Sequence, residues 1–287
     1  MTPTYIAVIL LSLLSSVTTI LGIALAISLR GSTQAVVAGL GFSAGIMILI
    51  SLLELLPESS TTLGIVTALA SGTIGSVLVW AVHFIIRHTH LIEETGKVNK
   101  TLVKSAYLVI FGLILHDVPE GFAMANAYIA DPALGLLVAV AIALHNLPEE
   151  FAMAVPAITF KSKRFLFGAA LLSALAEPVG AIIGLAAVGV APALNAHFLA
   201  FAAGAMIFIA VHELIPMARR YQQAGVFFGG MIISLIVLRT ARSHDRGVAQ
   251  VSGHDRALGP VLLTVNILLA RSSGLLPFPL QVRQSPC

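Results

Sequence analysis

A chain of 287 residues that is 58% hydrophobic, only 10% charged and carries a formal net charge of +3 does not have the surface of a water-soluble domain. Such domains carry about 25% charged residues, so a soluble globular fold is excluded and the lipid bilayer is the solvent for most of this surface. The mean hydropathy of +0.99 agrees. The single cysteine, Cys287, excludes an intramolecular disulfide.

Eight stretches are apolar enough to span a bilayer, near residues 4–29, 35–57, 63–87, 104–130, 133–159, 165–190, 196–217 and 223–240. The expected fold is all-α, a polytopic membrane protein of eight transmembrane helices. The first stretch lacks the basic start and cleavage-like end of a secretory signal and reads as a span. The second carries Met47 near its centre and Glu54 near its end. Between the third and fourth, "RHTHLIEETGKVNK" (87–100) reads as a solvated loop in which His88 and His90 offer a weak metal contact. The fourth contains "HDVPEGF" (116–122), the fifth "HNLPEEF" (145–151), the sixth "SALAEPVGA" (173–181), and the seventh ends near His212 and Glu213.

The eighth stretch is expected to stop after about 15 apolar residues, short of the roughly 20 a bilayer requires. Beyond it, "RTARSHDRGVAQVSGHDRAL" is rich in arginine and free of lysine, and "VLLTVNILLA" (261–270) is too short to span. We therefore expect a transmembrane domain over 1–240. The tail, 241–287, is expected to lie outside the functional fold, as disordered or out-of-frame sequence.

The excess positive charge marks topology rather than a nucleic-acid face. Arg30, then Arg87, Lys97, Lys100 and Lys104, then Lys161, Lys163 and Arg164, then Arg219 and Arg220 fall at alternate connections; the intervening ones have no Lys or Arg. The positive-inside rule then places the N-terminus outside, in a multi-pass protein of the cell (inner) membrane.

Two internal echoes accompany this alternation. "FSAGIMILISLLELLPE" (42–58) matches "FAAGAMIFIAVHELIPM" (201–217) at nine of 17 positions, and "LHDVPEGFAMA" (115–125) matches "LHNLPEEFAMA" (144–154) at eight of 11. Copies that cross the membrane in opposite directions are the mark of a transporter built around an axis in the membrane plane.

Asp117, Glu120, Glu149 and Glu177 lie within a few residues of mid-span. Each charge at a helix centre costs about 2.5–3.5 kcal/mol, so the four together cost on the order of 10 kcal/mol without compensation. A divalent cation supplies that compensation. Residues three and four apart share a helix face, so His116 and Asp117 align with Glu120, and His145 and Asn146 with Glu149. Imidazole plus carboxylate suits first-row divalent ions such as Zn, Fe or Mn better than Mg or Ca. Pro119 and Pro148 lack an N–H and are expected to free the carbonyls of Leu115 and Leu144, bending both helices at the carboxylates. Pro178 stands similarly beside Glu177. The two copies read as halves of one metal site, with Glu120 and Glu149 placed to be shared between two ions. Met47 either packs or offers its thioether to a soft ion. Glu54, His212 and Glu213 are candidates for a gate or exit relay.

These residues resemble the ZIP family of divalent metal transporters, prokaryotic in appearance, over roughly residues 5–238. The resemblance rests on the His-x-x-Pro-Glu runs of helices 4 and 5, "AEP" in helix 6 and the Gly-x-Met helices 2 and 7. It implies inverted repeats in a 3+2+3 arrangement and a binuclear mid-membrane site. One ion would take His116, Glu120, His145 and Glu149, with Met47 nearby; the second, Asp117, Glu120, Asn146, Glu149 and Glu177. It further implies import of Zn, with Fe, Mn and Cd as further candidates, by a homodimer in which helices 1, 4, 5 and 6 move past helices 2, 3, 7 and 8. Two residues depart from the family's pattern. Asp117 stands where Asn is usual, which should favour harder ions, and Glu150 replaces Gly, with its side chain expected toward the transport path or a basic partner. An intramembrane metal-dependent hydrolase is the alternative, although the chain has no His-Glu-x-x-His run.

Overall fold

The computed structural model describes residues 3–29, 32–88, 116–158 and 163–251. All elements among them are helical, and they follow the expected order. We number them α1 (Pro3–Leu29), α2 (Thr33–Ile50, carried on through Ser51–Leu55 and Leu56–Leu63), α3 (Ile65–His88) and α4 (116–130). Then come α5 (Pro132–Ile158), α6 (Lys163–Val190), α7 (Asn195–Ile209, continued by Ala210–Leu214 and Ile215–Arg219) and α8 (Ala224–Val251). Seven of them are long and apolar enough to cross a membrane among the described residues, and α4 contributes its described 15 residues.

Polarity is turned inside out relative to a soluble bundle. On α1, Ser12, Ser15, Ser16 and Thr19 are buried while Leu10, Leu13, Leu14, Val17 and Leu21 are exposed. In lipid, apolar side chains gain nothing by leaving the surface, and small or hydroxyl-bearing residues make the helix–helix contacts. The Ser16 hydroxyl spans from α1 to α6, donating to the Ala174 carbonyl at 2.6 Å. α6 repeats the pattern, with Ser173, Ala174, Ala176, Glu177 and Ala181 inward and Leu171, Leu172, Leu175, Val179, Ile182 and Ile183 outward.

The helices pack chiefly as α1 on α5 and α6, α3 on α7, and α2 on α5. α4 meets α6 through a reciprocal glycine contact. A Cβ added at Gly121 would overlap the Glu177 carbonyl, and one at Gly180 the Val118 carbonyl. Only glycine permits so close an approach, and it sets Asp117 and Glu120 of α4 against Glu177 of α6.

Two expected boundaries move. The connection expected between the second and third stretches, "PESSTT" (57–62), is helical: Pro57 follows the π turn Ser51–Leu55, and Ser60 and Thr61 donate to the carbonyls of Pro57 and Glu58. The break comes instead at Gly64, whose φ of +74° suits glycine alone. Helix 8 does not stop after 15 residues. It runs to Val251, with 19 residues, Ala224–Arg242, meeting the length and hydropathy of a span, because no proline interrupts it before that point. The compact unit containing the site is Met1–Ala241, and Arg242–Cys287 forms a second unit, described only to Val251.

The echo between α2 and α7 is also structural. Each helix widens into a five-residue π-helical turn, Ser51–Leu55 in one and Ala210–Leu214 in the other, at corresponding positions of the repeat. The Leu56 N–H reaches back five residues to the Ser51 carbonyl, and the Ile215 N–H to that of Ala210. Pro57 and Pro216 follow directly and donate nothing, so each helix changes phase there. Glu54 and Glu213 lie in these turns.

Overpacking the α4–α6 contact should be costly. Gly121→Val is expected to destabilise the detergent-solubilised protein by about 1–3 kcal/mol, read as a lower thermal unfolding midpoint. Gly229→Ala, where an added Cβ meets open space, should leave it equal or raised; equal midpoints for both variants would contradict the packing account.

Candidate metal centre

The proline-containing motif of α5 is fixed by close backbone approaches from α1 and α2. α1 comes so near α5 at Gly22 that an added Cβ would crowd the Leu147 carbonyl, and α2 does the same at Gly39 against the Pro148 carbonyl. The Ser43 hydroxyl of α2 donates to the carbonyl of His145 at 3.0 Å. Ser43 thus anchors α2 to the backbone of the α5 motif three residues before Pro148. Leu115 lies outside the described residues.

His116, Asp117, Glu120, His145, Asn146, Glu149 and Glu177 are all buried, none more than 4% exposed. His145 Nδ1 donates to the Ala141 carbonyl at 2.8 Å, which fixes the ring and turns Nε2 toward two carboxylates. Nε2 lies 3.0 Å from Glu120 Oε1 and 3.9 Å from Glu149 Oε2. One ligand atom each from Glu120, His145 and Glu149 falls within 4.8 Å of the others, a spacing that a single metal ion spans. His116 joins from α4, with Nε2 3.5 Å from Glu149 Oε1. On the far side, the Asn146 amide donates to Glu177 Oε2 at 3.2 Å, and to Ser15 and Thr19 of α1.

The donor set fits a cation. Glu120 Oε2, Glu149 Oε2 and Glu177 Oε1 are buried and accept no hydrogen bond among the described residues. A buried carboxylate oxygen left without a donor is strongly unfavourable, and a metal ion removes that cost at each of them. Imidazole nitrogen beside carboxylate oxygen suits zinc and its first-row neighbours.

Other expected residues fall at varied distances from this cluster. Met47 is fully buried in the apolar core, one turn beyond Ser43. Glu54 is partly buried in the α2 π turn. Glu213, in the α7 turn, reaches the site: its Oε2 is 3.6 Å from His116 Nδ1, and its Oε1 is 3.1 Å from His83 Nδ1 of α3. His212 instead is exposed, stacks on Phe208 at 4.8 Å and sits edge-on to His83. The His88 side chain and His90 lie outside the described residues. Glu150 meets no basic partner among the described residues; it is 2% exposed and accepts a hydrogen bond from Ser173 at 3.0 Å.

Sequence reading missed His83, Ser173, Ser15, Thr19 and Ser43. Ser173 had a signal, four residues before Glu177 and hence on its face. His83 was a lone imidazole in an apolar span.

Known proteins match this chain along most of its length. Residues 86–237 match the family described as ZIP Zinc transporter. The zinc transporter ZupT of Chlorobium limicola is 33% identical over 257 residues, covering 82% of this chain and 96% of that protein. The ZupT proteins of Corynebacterium aurimucosum and Escherichia fergusonii are each 34% identical, covering 79% and 81% of this chain and 93% and 97% of their own lengths. The chain belongs to the ZIP family. Its membership, with the apolar helices, makes it a multi-pass membrane protein of a transporter family rather than an enzyme.

If Glu120, His145 and Glu149 form the core of the ZIP site, Glu149→Gln should weaken zinc binding to the purified protein by more than the roughly 10–100-fold typical of losing an outer partner. Isothermal titration would show this; a zinc affinity equal to that of the unaltered chain would remove Glu149 from the ligand set.

Proposed function

We propose that this chain imports divalent transition-metal ions, zinc foremost, across the inner membrane into the cytoplasm. The observation that carries this is the convergence of Glu120, His145 and Glu149 from two motif helices, in a chain whose relatives are zinc transporters. Fe, Mn and Cd are the further candidate substrates.

The ion exchanges its water shell for imidazole and carboxylate. In the binuclear assignment, His116, Glu120, His145 and Glu149 hold one ion, with Met47 nearby, and Asp117, Glu120, Asn146, Glu149 and Glu177 hold the other. The His145–Glu120 contact supports the first set, and the Asn146–Glu177 hydrogen bond the second. Release proceeds from His116 toward Glu213 and His83, whose contacts lead away from the carboxylate cluster. Glu54, in the corresponding turn of α2, serves the opposite side.

Alternating access is of the elevator type, with α1, α4, α5 and α6 moving against α2, α3, α7 and α8. The packing of α1 on α5 and α6, the glycine contact of α4 with α6, and the packing of α3 on α7 support two such groups. The working unit is a homodimer with its N-terminus outside, consistent with the alternation of basic connections. A hydrolytic role draws no support from the relatives, which are named as transporters.

Radiozinc uptake into proteoliposomes tests the proposal. Saturable uptake is expected, suppressed by competing Cd, Mn or Fe in an order that ranks the substrates, and reduced to background in Glu120→Ala and Glu149→Ala. Uptake by those variants at the rate of the unaltered chain would refute the assignment of the site.

A further inference from the structure

Five carboxylates are buried in this helix bundle. Asp117, Glu120, Glu149, Glu150 and Glu177 are each at most 4% exposed, and no Lys or Arg is buried among the described residues. If His116 and His145 are neutral ligands, the carboxylates carry a formal −5. Two divalent cations contribute +4, which leaves −1. The four carboxylates of the binuclear assignment are balanced without Glu150, so Glu150 is the residue to be accounted for.

Its surroundings consist of oxygen. Ser173 Oγ of α6 lies 3.0 Å from Glu150 Oε1 of α5 and 2.5 Å from Asp117 Oδ2 of α4. A hydroxyl has one hydrogen, so it donates to one of these oxygens at a time and leaves the other facing it without a donor. The second oxygen, Glu150 Oε2, is buried and accepts no hydrogen bond among the described residues. Three helices thus deliver two carboxylates and a hydroxyl to one point, with a buried, unpartnered carboxylate oxygen and no imidazole in the contact. Oxygen-only sets select hard cations, whereas the neighbouring cluster around His145 is mixed nitrogen and oxygen.

We propose that Ser173 and Glu150 complete the second ion's position at Asp117, an oxygen-only set beside the imidazole–carboxylate cluster, and that Glu150 sets a preference there for hard divalent ions such as Mn2+ over Zn2+. The proposal rests on the neighbouring cluster being the transport site and adds ligands to it. A cation at this point accepts electron density from the Ser173 oxygen and both carboxylates at once, which a single hydroxyl proton cannot satisfy. Ser173 is the hinge of the arrangement, because it is the only group among the described residues seen to contact both acids.

The experiment is equilibrium binding of Mn2+ and of Zn2+ to the purified full-length protein. Free Mn2+ is read by electron paramagnetic resonance and Zn2+ by a competing chelator dye. The unaltered chain, Glu150→Gln, Ser173→Ala and Glu149→Ala are compared. Glu150→Gln is expected to weaken Mn2+ binding by about tenfold or more while Zn2+ affinity changes by less than about threefold. Ser173→Ala should move Mn2+ in the same direction, and retained Zn2+ binding shows that the variants are folded. Equal loss of both metals in both variants, no loss of Mn2+, or no Mn2+ binding by the unaltered chain would overturn the proposal. Glu149→Ala separates the two levels. If it still binds both metals normally, the transport-site assignment fails; if it loses Zn2+ while Glu150→Gln leaves Mn2+ unchanged, only the oxygen-only position fails.

Discussion

Carboxylates gathered inside a lipid-facing bundle, with no buried Lys or Arg among the described residues, impose the main constraint on this protein. Asp117, Glu120, Glu149, Glu150 and Glu177 come from three helices, and four of them present buried oxygens that no donor reaches among the described residues. Charge of one sign at mid-span is disfavoured by desolvation and by mutual repulsion. A positively charged occupant reconciles the bundle with it, and in a transporter family that occupant is the transported ion. Function therefore follows from the same electrostatics that make the apo bundle costly to assemble.

The packing serves that convergence. α4 and α6 touch backbone to backbone at Gly121 and Gly180, and α1 and α2 close on α5 at Gly22 and Gly39, so each motif is held where glycine removes a side chain. Hydroxyls do the remaining positioning: Ser43 on the His145 carbonyl, Ser15 and Thr19 on the Asn146 amide, Ser173 on Asp117 and Glu150. These short side chains do inside the bundle what apolar residues do in a soluble core, because lipid offers no hydrophobic drive for helices to associate. The π-helical turns of α2 and α7 add the second feature, carrying Glu213 within 3.6 Å of His116 at a place where a regular helix would be in a different phase.

Much of this was legible in the sequence, for identifiable reasons. The eight spans follow from apolar length. The alignment of His116 with Glu120, and of His145 with Glu149, follows from the period of the helix, and the structure brings all four into one cluster. What escaped depends on contacts between helices or on local phase. "PESSTT" has the composition of a loop, yet Ser60 and Thr61 satisfy their hydroxyls on the preceding turn and the helix continues. The end of α8 was misplaced because the apolar run was taken as the whole helix, although arginine is a good helix former. The partnership of Glu213 with His83 and His116 joins three helices and has no spacing signature. Glu150 was seen as a departure, but its neighbour Ser173 is one serine among many until the helices are packed.

The central claim is that the carboxylate cluster is assembled at a cost that a bound divalent ion offsets. The most direct test is the thermal unfolding midpoint of the metal-stripped protein, with and without zinc, for the unaltered chain and for Glu149→Gln. A ligand that binds only the folded state raises its stability in proportion to the logarithm of its excess over Kd. The account predicts a midpoint that rises with zinc in the unaltered chain. It also predicts a Glu149→Gln variant that is more stable than the unaltered chain when stripped and far less responsive to zinc. An unaltered chain indifferent to zinc, with Glu149→Gln less stable when stripped, would contradict it.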